Sequence, residues 1–308
     1  MQTILGSNGQ IGHELAKELY NNYTKEIRLV SRKPVKINET DQIMVADLMN
    51  YNSTLNAIAG SEIVYFTVGL PMNAKLMEEQ FPVIVQNVLK ACTVNNTKLV
   101  FFDNTYMYPK TTKTQFEDTP FEPKGRKSVL RAQLTNMVLA AMDKKEIDIV
   151  ICRAPEFYGP GHTQSITNSM VFENIKRHKK IKIPITVKTL RTLIWTPDAS
   201  KAMALIGNTK DAYNQTWHLP CDRSLTYKQI LEIASEVTNR KLHYSIIKEW
   251  QFKFVSHFNS QVKELLEMLP RYKVDNLFNS DKFKTCFPQF KITPFEEGIK
   301  NILLPITN

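Results

Sequence analysis

Met1-Gln-Thr-Ile-Leu-Gly-Ser-Asn-Gly-Gln-Ile-Gly-His-Glu-Leu-Ala-Lys-Glu-Leu-Tyr20 stands at the start of the chain. An apolar run at 3–5 is followed by Gly6, Gly9 and Gly12, and then by Leu15, Ala16 and Leu19 at helical spacing. This pattern predicts a strand, a tight turn and a helix. Gly6 permits the sharp turn, Gly9 lets backbone approach a ligand pyrophosphate, and Gly12 lets the helix pack closely on the strand. The helix start then offers backbone N–H groups and the positive end of a dipole to a phosphate. Gly6, Ser7, Asn8, Gly9, Gln10, Ile11 and Gly12 are accordingly the expected contacts of a bound dinucleotide.

Outward from this turn, apolar runs at 27–30, 43–46, 63–68, 99–102 and 147–152 alternate with helical patterns near 53–59 and 75–94. Strand and helix in alternation predict an α/β fold, a doubly wound parallel sheet whose ligands bind at the carboxyl ends of the strands. Pro82 falls inside the 75–94 pattern and predicts a kink or a restart. Ser31-Arg32-Lys33 closes the second run with two cations and no carboxylate. An acidic residue there suits the ribose hydroxyl of NAD, whereas an arginine accommodates the 2′-phosphate of NADP, so NADP is favoured and NAD is the alternative.

The Gly-x-x-Gly-x-x-Gly spacing resembles that of the extended short-chain dehydrogenase/reductases, the branch that includes the NAD-dependent epimerases and dehydratases. The resemblance runs over nearly the whole chain. It implies a Rossmann fold with a smaller C-terminal α/β substrate lobe: residues 1–158 completed by 190–220 for the nucleotide domain, and 159–189 with 221–308 for the lobe. It also implies that Asp47 and Leu48 lie against the adenine, that Val68 and Gly69 pass beside the cofactor, and that Pro155 and Glu156 sit near the nicotinamide. Taken by itself, Asp47 reads equally as a helix cap or loop aspartate.

In that family a Ser-Ser-x-x-Val-Tyr-Gly segment precedes a catalytic Tyr-x-x-x-Lys. Aligned on Tyr108, the serine place holds Asn104 with Thr105 beside it, and no tyrosine occurs between Tyr108 and Tyr158. Lys127 and Arg131 occupy the Tyr and Lys places. Two substitutes for the lost phenol are open: Lys127 itself, or Tyr106 or Tyr108 from the preceding loop beside the cation of Lys127 or Arg131. The remaining alternative is a protein that binds NADP without hydride transfer and regulates a partner.

Farther on, Arg153-Ala-Pro-Glu-Phe-Tyr-Gly-Pro-Gly161 resembles the family segment leading into the substrate region, and Asp198 reads as a cap of the helix that follows. His218 reads as a satisfied sheet residue, and the aromatics of 250–269 as core. The 308 residues carry a formal net charge of +10, scattered and without a recognised nucleic-acid module, so neither nucleic acid nor membrane is an expected partner. The positive field suits phosphorylated cofactors and a small, anionic substrate. No apolar run is long enough to span a bilayer and no secretory leader is evident, which predicts a cytoplasmic location. The four cysteines form no Cys-x-x-Cys pair, so no metal site is expected. The resemblance implies a homodimer built on helices 75–94 and 127–142.

Overall fold

The computed structural model describes residues 1–161 and 165–304, so residues 162–164 and 305–308 of the expected C-terminal lobe lie outside the described residues. By its internal contacts the chain forms two compact units. The first comprises Met1–Met107, Phe121–Ala154 and Ala199–Leu219; the second comprises Tyr108–Pro120, Pro155–Asp198 and Pro220–Asn308. The division differs from the expected boundaries in assigning 108–120, 155–158, 190–198 and Pro220 to the second unit, of which 108–120 is the longest segment. Backbone bonds carry that segment there, as Gln115 N–H donates to Leu277 O and Asn279 N–H to Gln115 O.

In the first unit, β1 (Gln2–Leu5), β2 (Ile27–Ser31), β3 (Gln42–Val45), β4 (Ile63–Phe66), β5 (Lys98–Asn104) and β6 (Ile149–Ala154) join the strand Gln215–His218 in one seven-stranded sheet. Its order is Gln215–His218, β6, β5, β4, β1, β2, β3, and every neighbouring pair is parallel. β1 lies between β2 and β4, so the strand order reverses there. The crevice at that reversal is where open α/β sheets bind ligands.

Helices α1 (Gln10–Asn22), α2 (Tyr51–Ile58), α3 (Ala74–Val94) and α4 (Arg126–Lys144) follow β1, β3, β4 and β5. α3 runs unbroken through Pro82, so no restart occurs. Met77, Phe81, Ile84, Val85 and Val88 bury one face along the core, and this packing holds the helix together across the backbone bond that proline removes. The same core takes in Leu5, Val30, Phe66, Phe101, Leu134 and Ile151.

The second unit has its own core, in which Tyr158, Phe172, Trp195, Tyr227 and Phe295 gather. Asp198 lies inside the first turn of the helix Thr196–Gly207. Its carboxylate accepts the Thr293 N–H at 2.7 Å and the Thr293 hydroxyl at 3.0 Å. The segment at 250–269 also departs from expectation. Phe252, Met268 and Leu269 are buried, but Trp250, Phe254 and Phe258 are exposed, because a helix of eight residues over Glu249–Ser256 buries only the face that carries Phe252.

Candidate active site

Gly6 leaves β1 with φ +87°, a left-handed conformation that side chains rarely adopt. Its N–H donates to Val30 O at 2.9 Å, and β4 presses on it from the other side. A methyl group on Gly6 would stand 2.8 Å from Val68 Cα and 2.9 Å from the Thr67 carbonyl carbon and oxygen. One on Gly12 would stand 2.8 Å from Gly6 O and 2.9 Å from Ser7 Cα. The fold itself therefore demands glycine at both positions. Gly9 is different: its φ of −72° is ordinary, and its added methyl would come no nearer than 3.3 Å, to Gly6 O.

Gly9 is the N-cap of α1, with no side-chain cap and no carboxylate in the first turn. With no carboxylate in that first turn, the dipole end suits a pyrophosphate. Ser7 is buried, Ile11 packs in the core, and Gln10 is half-buried at the helix start. Asn8 donates its amide to Lys33 O at 2.7 Å, tying the glycine turn to the loop after β2. In that loop Ser31 is half-buried, its hydroxyl accepting the Lys33 N–H, and Arg32 is exposed. Asp47 is an exposed loop residue whose carboxylate closes a turn on Met49 N–H, while Leu48 is buried in the core. Val68 is half-buried and Gly69 exposed.

The end of β5 meets the first turns of α4. Asn104 Oδ1 accepts the Tyr106 N–H at 3.0 Å, which leaves the Asn104 NH₂ as the donor of that side chain. The Ser128 hydroxyl donates to Tyr106 O and so tethers α4 to the loop. Thr105 is buried and Tyr106 half-buried. Lys127, only 2% exposed, lies in this same first turn. Tyr108 belongs to the second unit and is fully buried; its hydroxyl donates to Phe116 O at 2.8 Å. That bond ties Tyr108 to its own loop.

One carboxylate organises the floor beneath these groups. Asp103, buried at the end of β5, accepts from Arg153 Nε at 3.0 Å and from the Thr135 hydroxyl at 3.0 Å, and pairs with Arg131 at 3.5 Å. The Asp103 and Arg153 positions are partners in the β5–β6 register. Arg153 also stacks over Phe121, and Arg131 over Phe81. Neither Asp103 nor Arg153 was among the expected site residues. The available signal is that each is a charge ending an apolar strand run, of opposite sign, on strands that turn out to be neighbours.

Pro155, in the second unit, is buried just ahead of the strand Glu156–Tyr158. Glu156 is half-buried and engaged on several sides. It pairs with the fully buried Arg191 and accepts from Asn276 Nδ2 and the Tyr272 hydroxyl, both at 3.3 Å.

The family model of the NAD dependent epimerase/dehydratase family matches residues 3–218. The chain belongs to this family. No curated protein matches it at a significant level. Among solved structures it is similar to UDP-glucuronic acid 4-epimerase from Bacillus cereus in complex with NAD, at 14% identity and a TM-score of 0.78, covering 98% of this chain and 97% of that one. It is also similar to MoeE5 in complex with UDP-glucuronic acid and NAD, at 16% identity and a TM-score of 0.79, with coverage of 98% and 97%. A third is a double mutant of DesIV, a dTDP-glucose 4,6-dehydratase from Streptomyces venezuelae, with NAD and DAU bound, at 13% identity and a TM-score of 0.77, with coverage of 98% and 95%. At these identities the likeness is one of fold.

Proposed function

We propose that this epimerase/dehydratase family member is an NADP-dependent oxidoreductase or epimerase of nucleotide-activated sugars or related carbonyl compounds, with Lys127 in the role of the missing tyrosine. The observation that carries the reading is a buried lysine in the first turn of α4, one turn ahead of an arginine that Asp103 holds by an ion pair. A lysine amine can pass a proton on, whereas a guanidinium does not lose one in proteins. Lys127 Nζ is therefore the proton carrier, giving a proton to a substrate oxygen as it gains charge and recovering it in reverse. Arg131 keeps its proton and serves as fixed positive charge beside the reacting oxygen. The Asn104 NH₂ and the Thr105 hydroxyl orient that oxygen, with Tyr106 as the alternative donor from the same loop.

A bound nicotinamide would supply the hydride acceptor and donor. The first turn of α1 from Gly9 to Gly12 would hold its pyrophosphate, Asp47, Leu48, Val68 and Gly69 would flank the adenosine, and Pro155 would stand on the nicotinamide side. Arg32 and Ser31 favour the 2′-phosphate of NADP, because β2 ends without the carboxylate that a ribose hydroxyl needs. The solved structures named above hold NAD by their descriptions, so this preference is particular to the present chain. Family membership together with the buried cations disfavours a purely regulatory role.

The test joins a fluorescence titration with a turnover assay. NADPH should bind the native protein at least tenfold more tightly than NADH, and Arg32→Ala should abolish the difference. Against a panel of UDP- and dTDP-sugars, Lys127→Arg should retain cofactor binding and lose turnover. Full turnover by Lys127→Ala would remove the proposed role, and equal affinities for the two nucleotides would remove the NADP assignment.

A further inference from the structure

The loop that follows β2 is strapped down at both ends. Asn8, in the glycine turn, donates its amide to Lys33 O at 2.7 Å, and Ser31 Oγ accepts the Lys33 N–H at 3.1 Å. Both backbone polar groups of Lys33 are thus gripped. Ser31 itself is fixed by the sheet, because its register partner is Val45 and its carbonyl accepts the Ala46 N–H at 3.0 Å. Arg32 therefore stands between two anchored neighbours. Pro34 stiffens the next step, since its ring fixes φ and biases the residue before it toward extended backbone.

The far end is tied as well. The Asp41 carboxylate accepts the Ile37 N–H at 3.1 Å and the Asn38 N–H at 2.6 Å, and the Asn38 amide donates to Ala16 O of α1 at 3.0 Å. The loop is thereby fastened to the same turn and helix whose start suits a pyrophosphate. Between the two ties stand Arg32, Lys33 and Lys36, all exposed, and no carboxylate. Among the described residues no ion pair engages Arg32 or Lys33.

We infer that Asn8 is a positioning residue for cofactor choice: by gripping Lys33 O it holds Arg32 for the 2′-phosphate of NADP, and so sets the preference over NAD without touching either nucleotide. The inference rests on the cofactor reading above, and it replaces a direct contact of Asn8 with the dinucleotide. Its physical basis is preorganisation. A free loop must be ordered when the phosphate binds, and that cost weakens the complex. A loop already tied presents its guanidinium without it, and the planar fork of a guanidinium matches two phosphate oxygens at once. NAD carries a hydroxyl at that place and draws little from Arg32, so its affinity is insensitive to the tie.

The test is a double-mutant cycle on the full chain, read by fluorescence titration with NADPH and with NADH. Asn8 is exposed, so Asn8→Ala leaves the core intact. It should lower NADPH affinity about fivefold, the weight of one such hydrogen bond, and leave NADH affinity unchanged. In the Arg32→Ala background the same substitution should alter neither affinity, because Asn8 acts through Arg32. Equal weakening of both nucleotides by Asn8→Ala would overturn the inference and make Asn8 a contact of the part the two cofactors share. So would native NADPH affinity in Asn8→Ala, or a further loss of the same size on top of Arg32→Ala. Failure of the cofactor reading looks different: the native chain then binds both nucleotides equally or neither, before any variant is compared, and the inference falls with it.

Discussion

Asp103 holds two guanidiniums and a hydroxyl with one buried carboxylate, so its loss would strand like charges in the interior of the first unit. Breaking a buried pair by removing one partner costs about 3–5 kcal/mol. Asp103→Ala should lower the stability of the first unit by about that amount in urea unfolding, and a loss under about 1 kcal/mol would mean that Arg131 and Arg153 reach water once freed. The residues of this cluster were visible in the sequence, but their association was not. Phe-Phe-Asp and Ile-Cys-Arg each end a strand, and only the parallel register of β5 with β6 sets Asp103 beside Arg153. Tyr108 shows the opposite limit: its partner is the carbonyl of Phe116, a backbone group that no motif announces.

At the scale of elements, the first strand, turn and helix were readable because Gly6 and Gly12 answer local steric demands. What the spacing could not show is that Gly9 is under no such demand from the fold. Gly12→Ala would set a methyl group against Gly6 O and Ser7 Cα, which are backbone atoms of the turn itself. Overpacking of this kind costs about 1–3 kcal/mol, against a gain of about 1 kcal/mol in helix propensity, and rigid surroundings favour the loss. Gly9→Ala meets no such wall. Its unfolding free energy should stay within about 1 kcal/mol of the native value, consistent with a tight but tolerable contact, while NADPH affinity falls at least tenfold. Native affinity in Gly9→Ala would show that no ligand comes close there. The helix Glu249–Ser256 marks where periodicity misleads, since Phe and Trp at helical spacing look alike whether they face a core or water.

At the scale of the molecule, every proposed dinucleotide contact except Pro155 lies in the first unit, although that unit is built from three separate segments of the chain. The doubly wound sheet was legible from alternation alone, whereas the allocation of 108–120 to the second unit depends on backbone bonds to 277 and 279 that are far away in sequence. If the cofactor reading holds, nucleotide binding should protect the two units unequally. A ligand at a hundredfold excess over its Kd stabilises what it binds by about 2.7 kcal/mol. Hydrogen exchange with and without NADPH should therefore show the larger gain in β1, β4, β5 and the start of α1, with a smaller change in the strand Tyr244–Ile247 and the helix Tyr227–Thr238 of the second unit. Protection confined to the second unit would place the nucleotide elsewhere and leave the glycine turn as a purely structural device. A gain centred on the first unit in Lys127→Arg as well would separate binding from proton transfer, because that variant keeps the cradle and loses only the transferable proton.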